Sequence, residues 1–268
     1  MLATFHNHST WSDGQASPEE VYAYAVSAGV DILGFSDHFC VYPDGSVMEG
    51  SLTQDQVADY IAAVRALQKK DGPEIVAGIE FDWFENSRAA LAPFAKGLPL
   101  DYRIGSVHHV GEQAFDIDAS FWKSKTQEEV DEVFAAYWRL VRQMAESRLF
   151  DIAAHLDLPK KFGFYPKADL RGLEDEALDA VKASDMAVEL NTSGFSKPCA
   201  DGYPSVAILK RCRRREIPVT LSADAHKPEH LLFGFERGLA NLCEAGYSSI
   251  ARFRNRERWS EPLSHALK

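Results

Sequence analysis

His6 and His8 flank one asparagine in "FHNHSTWSDG" (5–14), and Asp224 and His226 repeat that spacing in "SADAH". Alternate residues of an extended strand share a face, so each pair aims two donors in one direction. Imidazoles and carboxylates so placed suit metal binding; two polar residues on a strand surface are the ordinary alternative. The other candidates also have two readings. His38 in "SDH" is a donor or a loop histidine hydrogen-bonded to Asp37. Glu80 in "GIEFD" ends an apolar run, where a carboxylate needs a cation or a salt bridge. His155 in "AHLD" is a donor or a satisfied core histidine, and His108 and His109 stand together in "GSVHH". The joint pattern outweighs the single residues, because seven of the nine histidines fall at or just after predicted strand ends. His230 and His265 lie outside it and receive no role. With Asp13, five residues after His8, the set offers nitrogen and oxygen donors without thiolate. Such an inventory suits zinc, manganese or iron and exceeds what one ion can use, so two to three divalent ions are expected.

Apolar β-prone runs alternate with helical ones along the chain. "LATFHNH" (2–8) precedes a helix with Ser17 as N-cap, Pro18 at its first position, Glu20 completing a capping box and Gly29 as the stop. "DILGFSDH" (31–38) precedes a helix from Thr53 to about Lys69, and "EIVAGIEFD" (74–82) one near Arg88 to Ala95. "YRIGSVHH" (102–109) leads to a long amphipathic helix opened by a Thr126 to Glu129 capping box. "DIAAHLD" (151–157), "MAVELNTS" (186–193) and "IPVTLSADAH" (217–226) precede helices near Leu173 to Ala183, near Ser205 to Arg215, and in the stretch ending at Gly246. Seven βα units result.

Such alternation implies a parallel sheet covered by helices, either open or closed into a barrel. Donors end every strand, Glu189 and Asn191 ending the sixth. In an open sheet the outer strands cannot bring donors together, whereas a barrel gathers all strand C-termini around one mouth. The expected fold is therefore α/β, a seven-stranded TIM-like (β/α)7 barrel. No repeat or linker-like tract divides residues 1–268, which are expected to form a single domain. The long connections Cys40 to Leu52, Val110 to Lys125 and Asp157 to Arg171 each follow a candidate donor and are expected to shape a substrate pocket.

With 29 Lys and Arg against 40 Asp and Glu, the formal charge is −11, which argues against nucleic-acid binding and favours a small-molecule partner. No apolar run is long enough to span a membrane, and no basic-then-apolar leader precedes His6. The four cysteines form no C-x-x-C pair and read as reduced thiols, so a cytoplasmic location is expected.

Taken in order, "HNHSTWSDG", "SDH", "GIEFD", "GSVHH", "AHLD" and "SADAH" resemble the polymerase-and-histidinol-phosphatase (PHP) superfamily of metallophosphoesterases, from Met1 to about Gly246. Within it, "GSVHHV", "HLDLPKKFG", "ELNTSGFSKPCADGYPS" and "RFRNRERW" are similar to histidinol-phosphate phosphatases of histidine biosynthesis. The resemblance implies a distorted seven-stranded barrel with a trinuclear centre. His6, His8 and Asp224 would hold one ion. Glu80 would bridge it to a second, held by His108 and His155, and Asp13, His38 and His226 would hold a third. The implied reaction is hydrolysis of a small phosphate monoester, histidinol phosphate, by in-line attack of a metal-bound hydroxide. No Ser or Cys nucleophile sits beside a base in these motifs, so no phosphoenzyme is expected. His109 is the candidate for protonating the leaving oxygen, or else a packing residue beside His108. Lys160 and Lys197 are candidate phosphate contacts or solvated lysines. Ser196 departs from the family, whose members often carry arginine there, and so removes a bidentate phosphate clamp.

Three rival functions follow from the same residues. A PHP phosphoesterase acting on nucleotides or another small phosphate ester is disfavoured by the acidic surface and the lack of an inserted base-binding domain. Amidohydrolase-like C–N hydrolases also begin with His-x-His on a barrel strand, but commonly bridge their metals with a strand-end lysine, and no strand end here supplies one. A non-catalytic metal-dependent protein would be expected to lack some of the donors.

Overall fold

The computed structural model describes residues 1–85 and 87–263. Seven parallel strands run in sequence order: β1 (Ala3–Thr4), β2 (Ile32–Phe35), β3 (Glu74–Asp82), β4 (Tyr102–Ser106), β5 (Ile152–Ala153), β6 (Ala187–Asn191) and β7 (Val219–Ser222). The ring nearly closes beyond the strand ends. The His8 N–H donates to the Ala225 carbonyl at 2.8 Å, and Asn7 and Ala225 form a parallel bridge. A short strand, His38–Phe39, adds to the upper half of β3, with His38 opposite Glu80.

Helices cover the outside: α1 (Pro18–Ser27), α2 (Val57–Ala66), α3 (Arg88–Gly97), α4 (Gln127–Glu146), α5 (Arg171–Ala183), α6 (Val206–Arg214) and α7 (Phe235–Glu244). The capping boxes at Ser17–Glu20 and Thr126–Glu129 form as the sequence predicts, and Ser205 caps α6. Helix α2 starts later than expected, because Thr53 turns back to donate its N–H to the Gln56 side chain at 2.9 Å. Helix α4 buries Val130, Phe134, Tyr137, Trp138, Val141 and Met144, the apolar face its period predicts.

The barrel interior has its own apolar cluster, which includes Ala3, Phe5, Ile32, Val76, Tyr102 and Ile104. The Tyr102 hydroxyl donates to the Phe35 carbonyl at 2.9 Å and the Phe5 carbonyl at 2.5 Å. Its ring fits because two strand positions lack a side chain: a Cβ at Gly78 would fall 2.3 Å from the ring, and one at Gly34 would fall 2.4 Å from the hydroxyl. An antiparallel hairpin, Ser249–Arg254 with Glu257–Pro262, plugs the end opposite the donors. It inserts Ala251 and Phe253 against the interior cluster, with Phe253 at 5.7 Å from Phe5 between ring centroids. The strand pattern did not foretell this plug.

Candidate metal centre

Most donors sit at or just past the strand ends, where several strands are shorter than their apolar runs, whereas Glu80 lies within β3, two residues before its end. Past β1 the chain carries His6 and His8 into the mouth, and both are essentially fully buried. The Asn7 side chain between them donates outward to the Gly34 carbonyl at 2.7 Å, so the two imidazoles turn together to the opposite side. Asp37 then holds the turn leading to Asp13, accepting from the Ser9 N–H and the Ser12 hydroxyl at 2.8 Å each. Asp224 has a left-handed backbone (φ 54°) that few residues other than glycine, asparagine and aspartate adopt readily.

Glu80, fully buried, lies at the middle. One of its oxygens is 3.0 Å from His6 Nε2, 3.2 Å from His38 Nδ1 and 3.5 Å from His8 Nε2. The other is 3.0 Å from His155 Nε2 and 3.6 Å from His108 Nε2. Asp224 Oδ1 approaches His8 Nε2 at 3.1 Å and His6 Nε2 at 3.6 Å. Asp13 Oδ2 lies 3.1 Å from His226 Nε2 and 3.8 Å from His38 Nε2, and Asp13 Oδ1 lies 3.5 Å from His8 Nδ1. All nine sequence-predicted donors thus come together.

These spacings fit cations better than hydrogen bonds. Donors around a tetrahedral zinc with bonds of about 2.0–2.1 Å stand about 3.3 Å apart. His6 Nε2, His8 Nε2, His38 Nδ1 and Glu80 Oε2 are all buried without a hydrogen-bond partner, despite contacts as short as 3.0 Å. Their lone pairs therefore point into shared space, where a buried carboxylate among imidazoles calls for positive charge. Without an ion the histidines supply it. Burial alone would raise Glu80 and Asp224, but the surrounding histidines hold both well below the usual carboxylate range. Burial would lower His6, and Glu189, Glu80 and Asp224 instead raise it well above its ordinary value. His8 and His38 are lowered, chiefly by burial.

Two carboxylates outside the nine predicted ligands orient the imidazoles from behind. Asp82 Oδ1 lies 2.7 Å from His108 Nδ1. Glu189 Oε1 lies 2.8 Å from His6 Nδ1, and its Oε2 accepts the His155 backbone N–H at 2.8 Å. Asn191 Nδ2 links Glu189 to Asp224, at 3.2 and 3.3 Å. The period-two spacing of Glu80 with Asp82, and of Glu189 with Asn191, was the available signal, since each pair shares a strand face.

The remaining candidates lie apart from Glu80. His109 is buried between Tyr42 and Phe84, at ring distances of 5.4 and 5.0 Å, with Nδ1 3.8 Å from Asp82. From there it reaches the centre only through Asp82. Lys160 is buried with its ammonium 2.8 Å from both Asp157 and Asp201. Lys197 and Ser196 are exposed in the turn after β6, where the Ser196 hydroxyl donates to the Ser193 carbonyl at 2.9 Å. His230 packs on Phe233, and His265 lies outside the described residues.

The description "PHP domain" matches residues 4–193. This chain belongs to the PHP family. A Deinococcus radiodurans protein named "Probable histidinol-phosphatase" is 31% identical to this PHP protein over 243 residues, 90% of this chain and 92% of that one. The histidinol-phosphatase of Lactococcus lactis is 24% identical over 257 residues, 93% of each chain. The crystal structure of the Lactococcus lactis histidinol phosphate phosphatase, complexed with zinc, L-histidinol and phosphate, superposes with a TM-score of 0.80 at 24% identity. The superposition covers 96% of this chain and 98% of that one, and it establishes the shared barrel.

Proposed function

We propose that this PHP protein is a metal-dependent phosphomonoesterase that hydrolyses histidinol phosphate to histidinol and phosphate. The observation that carries the reading is the convergence of nine donors, eight buried or half-buried and Asp13 exposed, on Glu80 and its neighbours, with His6 Nε2, His8 Nε2, His38 Nδ1 and Glu80 Oε2 left unpartnered. The 31% identical relative and its name supply the substrate class.

His6, His8 and Asp224 would hold one ion and Asp13, His38 and His226 another, with His8 close to both sets. Glu80, His108 and His155 would hold a third, Glu80 bridging it to the first. Divalent ions of the zinc, manganese or iron class would neutralise phosphoryl oxygens, lower the pKa of water and stabilise a leaving alkoxide. The chain's contribution is to fix these donors. Asp82 and Glu189 set the ring orientation of His108 and His6, and burial keeps competing water away from the carboxylates.

Phosphate contact from outside the centre falls to Lys197, because the Lys160 ammonium is already shared by two carboxylates. We read the chain as one PHP domain acting on a small phosphate ester in the cytoplasm. The cysteines of the described residues are free, and no helix among those residues is long and apolar enough to cross a membrane.

Steady-state assays of the purified protein on histidinol phosphate, a panel of phosphomonoesters and nucleotides test the reading. Histidinol phosphate should give the highest kcat/KM, and chelation should abolish turnover. A tenfold preference for a nucleotide, about 1.4 kcal/mol of discrimination, would overturn the substrate and leave a PHP phosphoesterase.

A further inference from the structure

Behind the wall that carries His38 and His108 lies a second, smaller group of donors. Cys40, Asp82 and His109 each offer one ligand atom, and the three atoms lie within 4.8 Å of one another. All three residues are buried, at 0%, 4% and 4% exposure. The group comes from three separate elements: Cys40 follows the short strand His38–Phe39, Asp82 ends β3, and His109 follows β4.

Two atoms of the group are unsatisfied. Asp82 commits Oδ1 to His108, while its Oδ2 is buried without a hydrogen-bond partner, and so is His109 Nδ1. The Tyr42 and Phe84 rings flank His109, and neither supplies a polar partner there.

We propose that Cys40, Asp82 and His109 form an additional site for one divalent ion of the zinc class, chemically distinct from the nine-residue centre because it offers a thiolate. A thiolate, an imidazole and a carboxylate make three of the four ligands of a tetrahedral zinc, leaving one position for water. Sulfur selects zinc or cobalt over manganese or magnesium. Binding releases the Cys40 thiol proton to solvent and forms a metal–sulfur bond, with no change of oxidation state. Asp82 would touch the ion with Oδ2 and still orient His108 with Oδ1, so the two sites share one carboxylate.

The thiolate gives the site a signature of its own. The purified chain is stripped with chelator and titrated with Co²⁺ alone. The expected result is a strong near-ultraviolet thiolate-to-cobalt charge-transfer band whose plateau intensity corresponds to one thiolate-bound ion per chain, reached with the nine-residue centre also filled, and which is missing from Cys40→Ser. His109→Gln, which keeps the thiol, should need at least about tenfold more Co²⁺ to reach the same band. Absence of the band in the parent overturns the site, as does its survival in Cys40→Ser or its loss in Cys243→Ser, which removes an exposed thiol. If Cys40→Ser fails to fold, an unshifted His109→Gln titration overturns it as well. The nine-residue centre has no sulfur donor, so neither the band nor its absence depends on the phosphatase reading.

Discussion

Asp82 Oδ1 lies 2.7 Å from His108 Nδ1, and this pairing leaves His108 Nε2 to face Glu80. A carboxylate behind a ligating histidine fixes its tautomer and raises its basicity, and losing it typically costs ten- to hundredfold in metal affinity. Asp82→Asn should therefore weaken metal retention by roughly that factor. Competition with a graded chelator, read by metal analysis, checks this. Retention equal to the parent would mean that His108 is not a ligand.

Glu80→Gln should be the most damaging single change in the centre. It keeps the side-chain volume but removes the charge that faces His6, His38 and His155 at 3.0–3.2 Å. We expect kcat/KM to fall by at least about a hundredfold, more than the loss of one orienting contact, with metal content below the parent's. Activity within about threefold of the parent would contradict the central place given to Glu80.

The metal-free chain should lose stability in mild alkali. Burial would lower His108, but Asp82 raises it to about 10. Burial would likewise lower His226, which Asp13 and Asp224 raise to about 9. A histidine whose folded pKa lies above its ordinary 6.5 stabilises fully below that value, and the contribution disappears as pH rises through the folded pKa. The Tm of chelator-treated protein should thus fall between about pH 7 and pH 10, less steeply in Asp82→Asn. The loaded protein should lack this decline, since bound ions require neutral imidazoles. Thermal scans across pH decide it; identical slopes for parent and variant would count against the His108–Asp82 pair.

Lysine deletions should separate binding from folding. Lys197→Ala should lower kcat/KM for histidinol phosphate roughly ten- to hundredfold, corresponding to about 1.5–3 kcal/mol for a charged hydrogen bond, with metal content unchanged. Ser196→Arg should raise that constant more for histidinol phosphate than for an aryl phosphate. Lys160→Ala should instead act on stability, about 3–5 kcal/mol, because Asp157 and Asp201 lose their shared cation. Denaturant titration beside kinetics tests the division; a stable Lys160→Ala with impaired binding would reverse the two assignments.

The hairpin plug should be structural. Phe253 is 2% exposed among interior side chains, and Phe253→Ala should cost about 3–5 kcal/mol, with kcat unchanged in the molecules that remain folded. Equilibrium unfolding measures it, and a loss below about 1 kcal/mol would show that the hairpin does not seal the barrel.

The seven βα units were legible because each is a local pattern: an apolar run, a donor, then a capped amphipathic helix. The convergence of His6, Glu80, His155 and Asp224 followed from counting strand ends, since only a closed ring brings the first and last strands together. Other features depend on partners far apart in the chain. Asp82 and Glu189 read as strand-end carboxylates, and only the register that sets them behind His108 and His6 gives them an orienting role. Lys160 read as a free cation until the fold brought Asp201, 41 residues away, onto its ammonium. Strand pattern alone could not show that "RFRNRERW" turns into a hairpin whose Phe253 fills the barrel floor, because the space it occupies is defined by Phe5, just past β1, and Tyr102 of β4. Periodicity reports which face a side chain occupies; which groups face it from across the barrel is decided by ring closure and register.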